Sequence, residues 1–380
     1  MTGGGILAFM AVAQKFIGLV GAGLLAGAVL LSPEGRSQPL DPVLAGVDVY
    51  GTDRFDAAEL RAAFPDLFDR FAVLMVAQDL ETLEPMLEEL KAWVDARGPF
   101  ALTDFSVQSS PDPTSRQLLV RVGIDVVEPE DVARRMPFRA PPDADLQDPG
   151  GALALWAEYE ALGMALTMSG RLPTASGECP ALHCAFFFEQ PDLAPYLDRI
   201  DAAAERHRDA LFAIAERSAN PEYRARAIFL LAHSADAESL LPLLGRAIYD
   251  DNGSVRNNAM RVMMYMAMAD PSQPFPLQAL TAALDFPSES DRNKAAYTVR
   301  WAAEFEPHRA GLAAIAVPNL LRLLRSERPN IHEPAYEALK ILSGRDYSGR
   351  DYAAWDAWAG DEAAASDSAG RSAASAATSR

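Results

Sequence analysis

Between Asn220 and Leu342 one phrase recurs four times, and it dictates what the C-terminal half can be. The copies are Tyr223-Arg224-Ala225-Arg226-Ala227, Val255-Arg256-Asn257-Asn258-Ala259, Asp291-Arg292-Asn293-Lys294-Ala295 and Ile331-His332-Glu333-Pro334-Ala335, with final alanines 32, 36 and 40 residues apart. Repeats of that length are helix pairs too small to bury an apolar face alone, so they must stack as a solenoid. Four residues after each alanine stand Leu231, Met263, Val299 and Leu339; four before stand Tyr223, Val255, Asp291 and Ile331. That spacing puts them on one helix face, where the small alanine lets a neighbouring helix approach closely. Partner helices are expected over 196–217, 240–248, 277–284 and 317–324.

This order resembles HEAT repeats, which pair a first helix with a second that opens on Val-Arg-x-x-Ala; Val255-Arg256 with Ala259 fits best. The resemblance implies an inter-repeat Asp/Arg ladder. It places Asp250, six residues before Arg256, as the acid of that rung, leaves Ser218 at the same spacing from Arg224, and puts Asp285 one place off for Arg292. The fourth copy has His332 in place of the arginine and carries Pro334, so the ladder is expected to be incomplete. Leu342-Ser343-Gly344-Arg345-Asp346-Tyr347, followed by Trp355 and Trp358, resembles the closing phrase of some bacterial HEAT arrays. The two tryptophans are therefore expected to cap the open core, an aromatic ligand platform being the sharper alternative. The Ala/Ser tail over 360–380 is too poor in bulky apolar residues to fold.

The segment 41–129 is built differently. Val47-Asp48-Val49-Tyr50 alternates and stops at Gly51, as a short strand does. Asp56 with Glu59 is a capping pattern opening a helix that continues through Phe64, Leu67, Phe71 and Leu74. Leu83, Leu87, Leu90 and Val94 mark a second helix, ended near Arg97-Gly98-Pro99. Alternating runs at 104–108 and 118–126 follow, with 109–113 as the turn between them. Strand, helix, helix, strand, strand, with Val47-x-Val49-x-Gly51 and Ala96-Arg97-Gly98-Pro99-Phe100 as landmarks, resembles a POTRA domain of bacterial envelope proteins. The resemblance implies a docking or chaperone-like role, with binding by strand addition at a sheet edge. The Pro/Asp/Gly-rich stretch within 130–151 reads as a linker. A helix over 152–168 then leads into a cysteine loop and Phe186-Phe187-Phe188, within a segment ending at 194 before the repeats of 195–359.

An uninterrupted apolar run at 16–31, after Lys15 and before a polar exit, describes an export signal or an inner-membrane anchor within 1–33. The true start is Met1 or Met10. The body is then exported, and periplasmic. In that compartment Cys179 and Cys184, the two cysteines of the chain, read as a disulfide closing a small loop. With His183 they supply at most three zinc ligands, and the spacing is not that of a redox-active Cys-x-x-Cys pair. Against 34 basic residues stand 53 acidic ones, a net charge of −19 without a basic cluster beyond Arg134-Arg135, so nucleic acid is not the expected partner. No phosphate loop, metal motif or nucleophile motif occurs, and no cofactor is expected.

The fold class expected is mainly α: a HEAT-like α-solenoid preceded by a small βααββ α+β domain and an N-terminal apolar signal or anchor helix. The function expected is a non-catalytic envelope protein that binds protein partners as a scaffold or adaptor, touching the membrane through its N-terminus if that segment is uncleaved. The alternative is a thiol- or metal-dependent enzyme, or an enzyme accessory, using the Cys179–Cys184 loop.

Overall fold

The computed structural model describes residues 41–361, except 78, 113, 170, 172–178 and 187. The expected signal or anchor, Phe187 and the tail beyond 361 lie outside the described residues. Among the described residues, no helix is long and apolar enough to cross a membrane.

Alternating residues build the first unit. Strands β1 (Asp41–Tyr50), β2 (Leu102–Asp112) and β3 (Gln117–Val127) form a sheet in the order β1-β3-β2, β1 parallel and β2 antiparallel to β3. One face, with Val47, Phe105, Val122, Ile124 and Val126, is buried beneath α1 (Ala57–Ala63), α2 (Leu67–Ala77) and α3 (Leu80–Asp95). Asp56 caps α1 by accepting the Glu59 amide at 2.8 Å.

Two expectations are corrected here. Pro65 disfavours the helical region at Phe64, whose φ of −131° ends α1, so a third helix forms and the order is βαααββ rather than βααββ. Pro111 does not end β2: β2 is an edge strand, where a residue without an N–H can be tolerated, and pairing continues to Asp112.

The stretch 130–151 is no free spacer. It holds the short helix α4 (Val132–Arg135), donates the Arg139 amide to Tyr249 O at 2.8 Å, and pairs Ala144 with Arg217 and Ala219 at 3.2 and 2.8 Å. Its Pro/Asp/Gly composition forbids a long regular element but not contact.

Beyond it run α5 (Ala152–Met168), α6 (Leu197–Arg206) and α7 (Arg208–Arg217); the helix expected over 196–217 is divided at His207. Then come α8 (Pro221–Leu231), α9 (Ala237–Ala247), α10 (Gly253–Ala269), α11 (Leu277–Ala283), α12 (Glu289–Ala302), α13 (Glu306–Leu323) and α14 (Pro329–Ser343). They pair as α7/α8, α9/α10, α11/α12 and α13/α14, and the second helices α8, α10, α12 and α14 pack on one another in chain order. Ala227, Ala259, Ala295 and Ala335 are each 0% exposed, at the helix contacts that only a small side chain permits. Asn220 and Asn252 cap α8 and α10 by accepting their first amides, which lets each chain reversal be short. Gly344, at φ 64°, ends α14 in the left-handed conformation that glycine adopts without strain.

The last helix, α15 (352–361), closes the stack. Trp355 meets Trp358, Tyr347 and Tyr336 edge-on at 6.0, 5.1 and 6.3 Å and donates its indole N–H to Ser348 O at 3.0 Å. Both tryptophans are buried, so neither offers a ring face as a ligand platform.

Candidate protein-binding groove and the ladder beside it

The repeat arginines are placed by their own helices. Each directs Nη1 to carbonyls just ahead of its helix: Arg224 to Ser218 O at 2.8 Å, Arg256 to Asp250 O and Asp251 O at 3.0 and 3.1 Å, and Arg292 to Phe286 O and Pro287 O at 2.8 Å. The six-residue spacing thus marks a backbone acceptor and not an acid, which corrects the matching of Asp250 with Arg256. The acid comes from the following repeat. Arg224 holds Asp250 in a fork at 3.0 and 2.6 Å, and Arg256 takes Asp291 at 2.8 Å.

The third rung leaves the solenoid. Arg292 pairs at 2.7 Å with Asp125 of β3, not with Asp285, and lies 4.1 Å over the Tyr50 ring. Burial pushes the Asp125 and Asp291 carboxyls up, opposed by their arginines. Burial works against the charge of Arg292 too, yet Asp125 and Tyr50 hold it above its usual value.

Around this rung the sheet's second face is docked on the repeats. Register places Asp48, Gly123 and Ser106 in one row across the sheet and Tyr50, Asp125 and Asp104 in the next. Tyr50 donates to Asp285 at 2.8 Å; Arg134, Arg135 and Arg322 also reach that carboxylate. Asp48 accepts from Ser326 Oγ and from the Glu327 amide at 2.9 Å. Arg328 donates to Ser106 Oγ and O at 3.0 and 3.2 Å and pairs with Glu289. A Cβ on Gly123 would collide with the Arg328 guanidinium, so the glycine makes room for that crossing. Tyr50, Asp125, Asp285 and Arg328 carry the junction; the sequence marks Tyr50 only as a strand residue and Asp285 only as a near-miss ladder acid, and does not single out Asp125 or Arg328. The signal was present in β3, whose outward positions Gly123, Asp125 and Val127 do not describe a solvated face.

Along the second helices the stack leaves a partly exposed face, which forms the candidate groove. Its residues are Arg226 of α8, Asn257, Arg261 and Tyr265 of α10, Asn293, Tyr297 and Arg300 of α12, and Lys340 of α14, all intermediate in exposure. Arg300 stacks on Trp301 at 3.6 Å and pairs with Glu304 at 3.2 Å. The face therefore offers aromatic surface and hydrogen-bonding groups along successive helices, which is what an extended ligand requires.

The cysteine loop closes the first end of this face. Cys179 and Cys184 are joined, and the Leu182 amide donates to Ala232 O at 2.9 Å. His183 is 1% exposed, its ring 5.0 Å from Phe229 and 4.6 Å from Tyr265. Burial, with the Arg261 charge behind it, lowers its pKa to about 3, so the ring is neutral. Among the described residues no group of three or more His, Cys, Asp or Glu could hold a metal ion. Phe188 is buried, stacked on Tyr159 at 5.1 Å, and Phe186 fills the space over Gly163.

The sequence model of the HEAT-repeat family matches residues 208–300, from α7 into α12. No curated protein matches the chain. Among solved structures, a designed armadillo repeat protein in complex with the peptide (KR)4 is similar at 17% identity, with 43% of this chain and 82% of that one covered and a TM-score of 0.34. A second designed armadillo repeat protein gives 19% identity, 51% and 92% coverage and a TM-score of 0.34. A chain of the structure of Kap95p binding to RanGDP gives 15%, 55%, 27% and 0.31. The chain is a helical-repeat protein carrying a small N-terminal sheet.

Proposed function

We propose that the chain is a non-catalytic envelope protein that holds a protein partner in the groove of its solenoid, with the small α/β domain as a rigid docking module. The observation that carries this reading is the face of α10 and α12: Asn257, Arg261 and Tyr265 on one helix and Asn293, Tyr297 and Arg300 on the next stay partly exposed while the residues behind them are buried. Solenoids use such surfaces to bind extended partners.

Export is supported by the apolar run at 16–31 and by the bonded cysteines, which suit an oxidising compartment. The POTRA resemblance supports docking through a sheet edge, β1 or β2, since the second sheet face is spent on the repeats. The third helix departs from that family's order. In the bonded form the cysteine loop offers no thiol, and His183 is enclosed by aromatic rings, so no observation favours the thiol- or metal-dependent alternative.

The test is crosslinking in cells of origin with a photoreactive residue at Tyr265 or Tyr297, set beside one at exposed Glu238 on α9. Discrete protein adducts from the groove positions, in the envelope fraction, are expected. Adducts equal at all positions, or a protein confined to the cytosolic fraction, would overturn the reading.

A further inference from the structure

In a chain of net charge −19, the groove holds two cations, Arg261 and Lys294, that no carboxylate pairs among the described residues. Arg226, Arg261 and Lys294 stand on α8, α10 and α12, three second helices that pack in order. Arg226 is shared between Glu160 at 3.9 Å and Glu222 at 3.4 Å. Arg261 has no hydrogen bond or ion pair among the described residues; Tyr265 and Glu160 are the groups whose charge favours its own. Lys294 is 8% exposed and its ammonium makes one bond, to Ser290 Oγ at 3.1 Å. Its nearest acids are committed elsewhere, Asp291 to Arg256 and Glu289 to Arg328 and Asn330. Burial and then the Arg261 charge depress the Lys294 pKa to about 8.

Two neighbouring cations, one almost enclosed and neither paired with a carboxylate, destabilise the free protein. Departures of this kind from local consistency belong to sites that a ligand completes. Tyr265, Tyr297 and Trp301 are partly exposed on the same two helices, offering rings against which apolar side chains pack and of which a small inorganic anion would make no use.

We propose that the groove takes an extended acidic segment of a partner protein, seating a carboxylate between Arg261 and Lys294 while its apolar side chains lie on Tyr265 and Tyr297. This rests on the scaffold reading and adds the chemistry of the partner. The long-range repulsion from the acidic body is screened beyond about 8 Å at physiological salt, so the close cations decide the contact.

The test uses the full chain and three labelled octapeptides alternating Leu with Glu, Gln or Lys, followed by fluorescence anisotropy. The Glu peptide is expected to bind about tenfold or more tightly than the Gln peptide, and the Lys peptide more weakly than either. The double variant Arg261→Gln/Lys294→Met is expected to lose that preference, whereas Arg345→Gln, at an exposed position away from the groove, keeps it. Circular dichroism confirms that the variants are folded. Equal binding of Glu and Gln peptides, or an undiminished preference in the double variant, overturns the acidic partner while leaving the scaffold standing. Failure of all three peptides overturns it as well, and the crosslinking then judges the scaffold separately.

Discussion

Removing Arg292 tests whether the sheet is part of the repeat ladder. Arg292→Met keeps the apolar stem but deletes the 2.7 Å pair with Asp125, two 2.8 Å bonds to Phe286 O and Pro287 O, and the contact over Tyr50. Asp125 is 2% exposed and would be left as an unpaired buried carboxylate. Breaking a buried pair from one side costs about 3–5 kcal/mol, most of it from the stranded charge. Asp125→Asn alone removes a charge that burial already disfavours and leaves Arg292 its two carbonyls, so about 1–2 kcal/mol is expected. The double variant should then be more stable than Arg292→Met by about 1 kcal/mol or more, because the second substitution removes the stranded charge. Urea unfolding at pH 7 followed by far-UV circular dichroism measures all four corners. A second consequence follows from the sign of the titration. Without its arginine, Asp125 has a folded pKa raised further above its unfolded value. Its penalty is full above the folded pKa and fades as pH falls through it, so the deficit of Arg292→Met should shrink on acidification. Costs that add to within about 0.3–0.5 kcal/mol, with no rescue by Asp125→Asn, would refute the pairing.

The remaining expectations concern other parts of the molecule. Lys294 has a folded pKa near 8 against an unfolded 10.5, so the folded chain binds the proton less tightly and stability rises with pH across that window. Lys294→Met should therefore stabilise the free protein at pH 7 by about 1–3 kcal/mol and flatten that rise relative to wild type; urea midpoints at pH 7 and pH 10.5 check both, and a destabilised variant would count against it. Replacing Cys179 and Cys184 with serine, a separation of 5 residues, should cost about 2 kcal/mol by chain entropy, read as a midpoint shift that matches the effect of reductant on wild type. Trp355→Ala, at a fully buried site, should cost about 3–5 kcal/mol and raise amide exchange in α14 before α8; equal exchange in both would show that the tryptophans do not cap the end.

What the sequence disclosed and what it withheld divide along a physical line. The alanine phrases were legible because helix packing imposes a local size limit every repeat, and Ala227, Ala259, Ala295 and Ala335 obey it at 0% exposure. The strands of the small domain were legible because burial of one face forces alternation, as at Val122, Ile124 and Val126. Local cap chemistry at Asp56 was legible for the same reason. Pairings between distant residues were not. Arg256 offers the same side chain to any acid within reach, and Asp291, which takes it, lies 35 residues on. The 130–151 stretch misled because Pro, Asp and Gly report backbone conformation and say nothing of the Ala144 and Arg139 bonds that fasten it. Arg261 and Lys294 are not legible as a pair because they stand on different helices and form no cluster in the sequence; only stacking brings them together.

The irregularities of the fourth repeat and the presence of the sheet have one explanation. A regular array would hand Arg292 an acid from the following repeat, as Asp291 serves Arg256. The position equivalent to Asp291 in the fourth copy is Ile331, which is buried and apolar, and the interval before that copy is the longest, 40 residues. An unpaired Arg292, 4% exposed, would be costly. Asp125 supplies the missing charge from β3, Tyr50 covers the guanidinium, and Arg328 reaches back from the head of the fourth copy to Glu289 and across to Ser106. The sheet thus occupies the place of a rung. A solenoid is stabilised by nearest-neighbour interfaces, so filling one with a folded domain couples that domain's position to the pitch of the third and fourth repeats. Tyr297, of the groove, and Tyr336, under the cap, stand on the two helices that this rung sets in register. The sheet is therefore held at a fixed distance from the partly exposed face of α10 and α12.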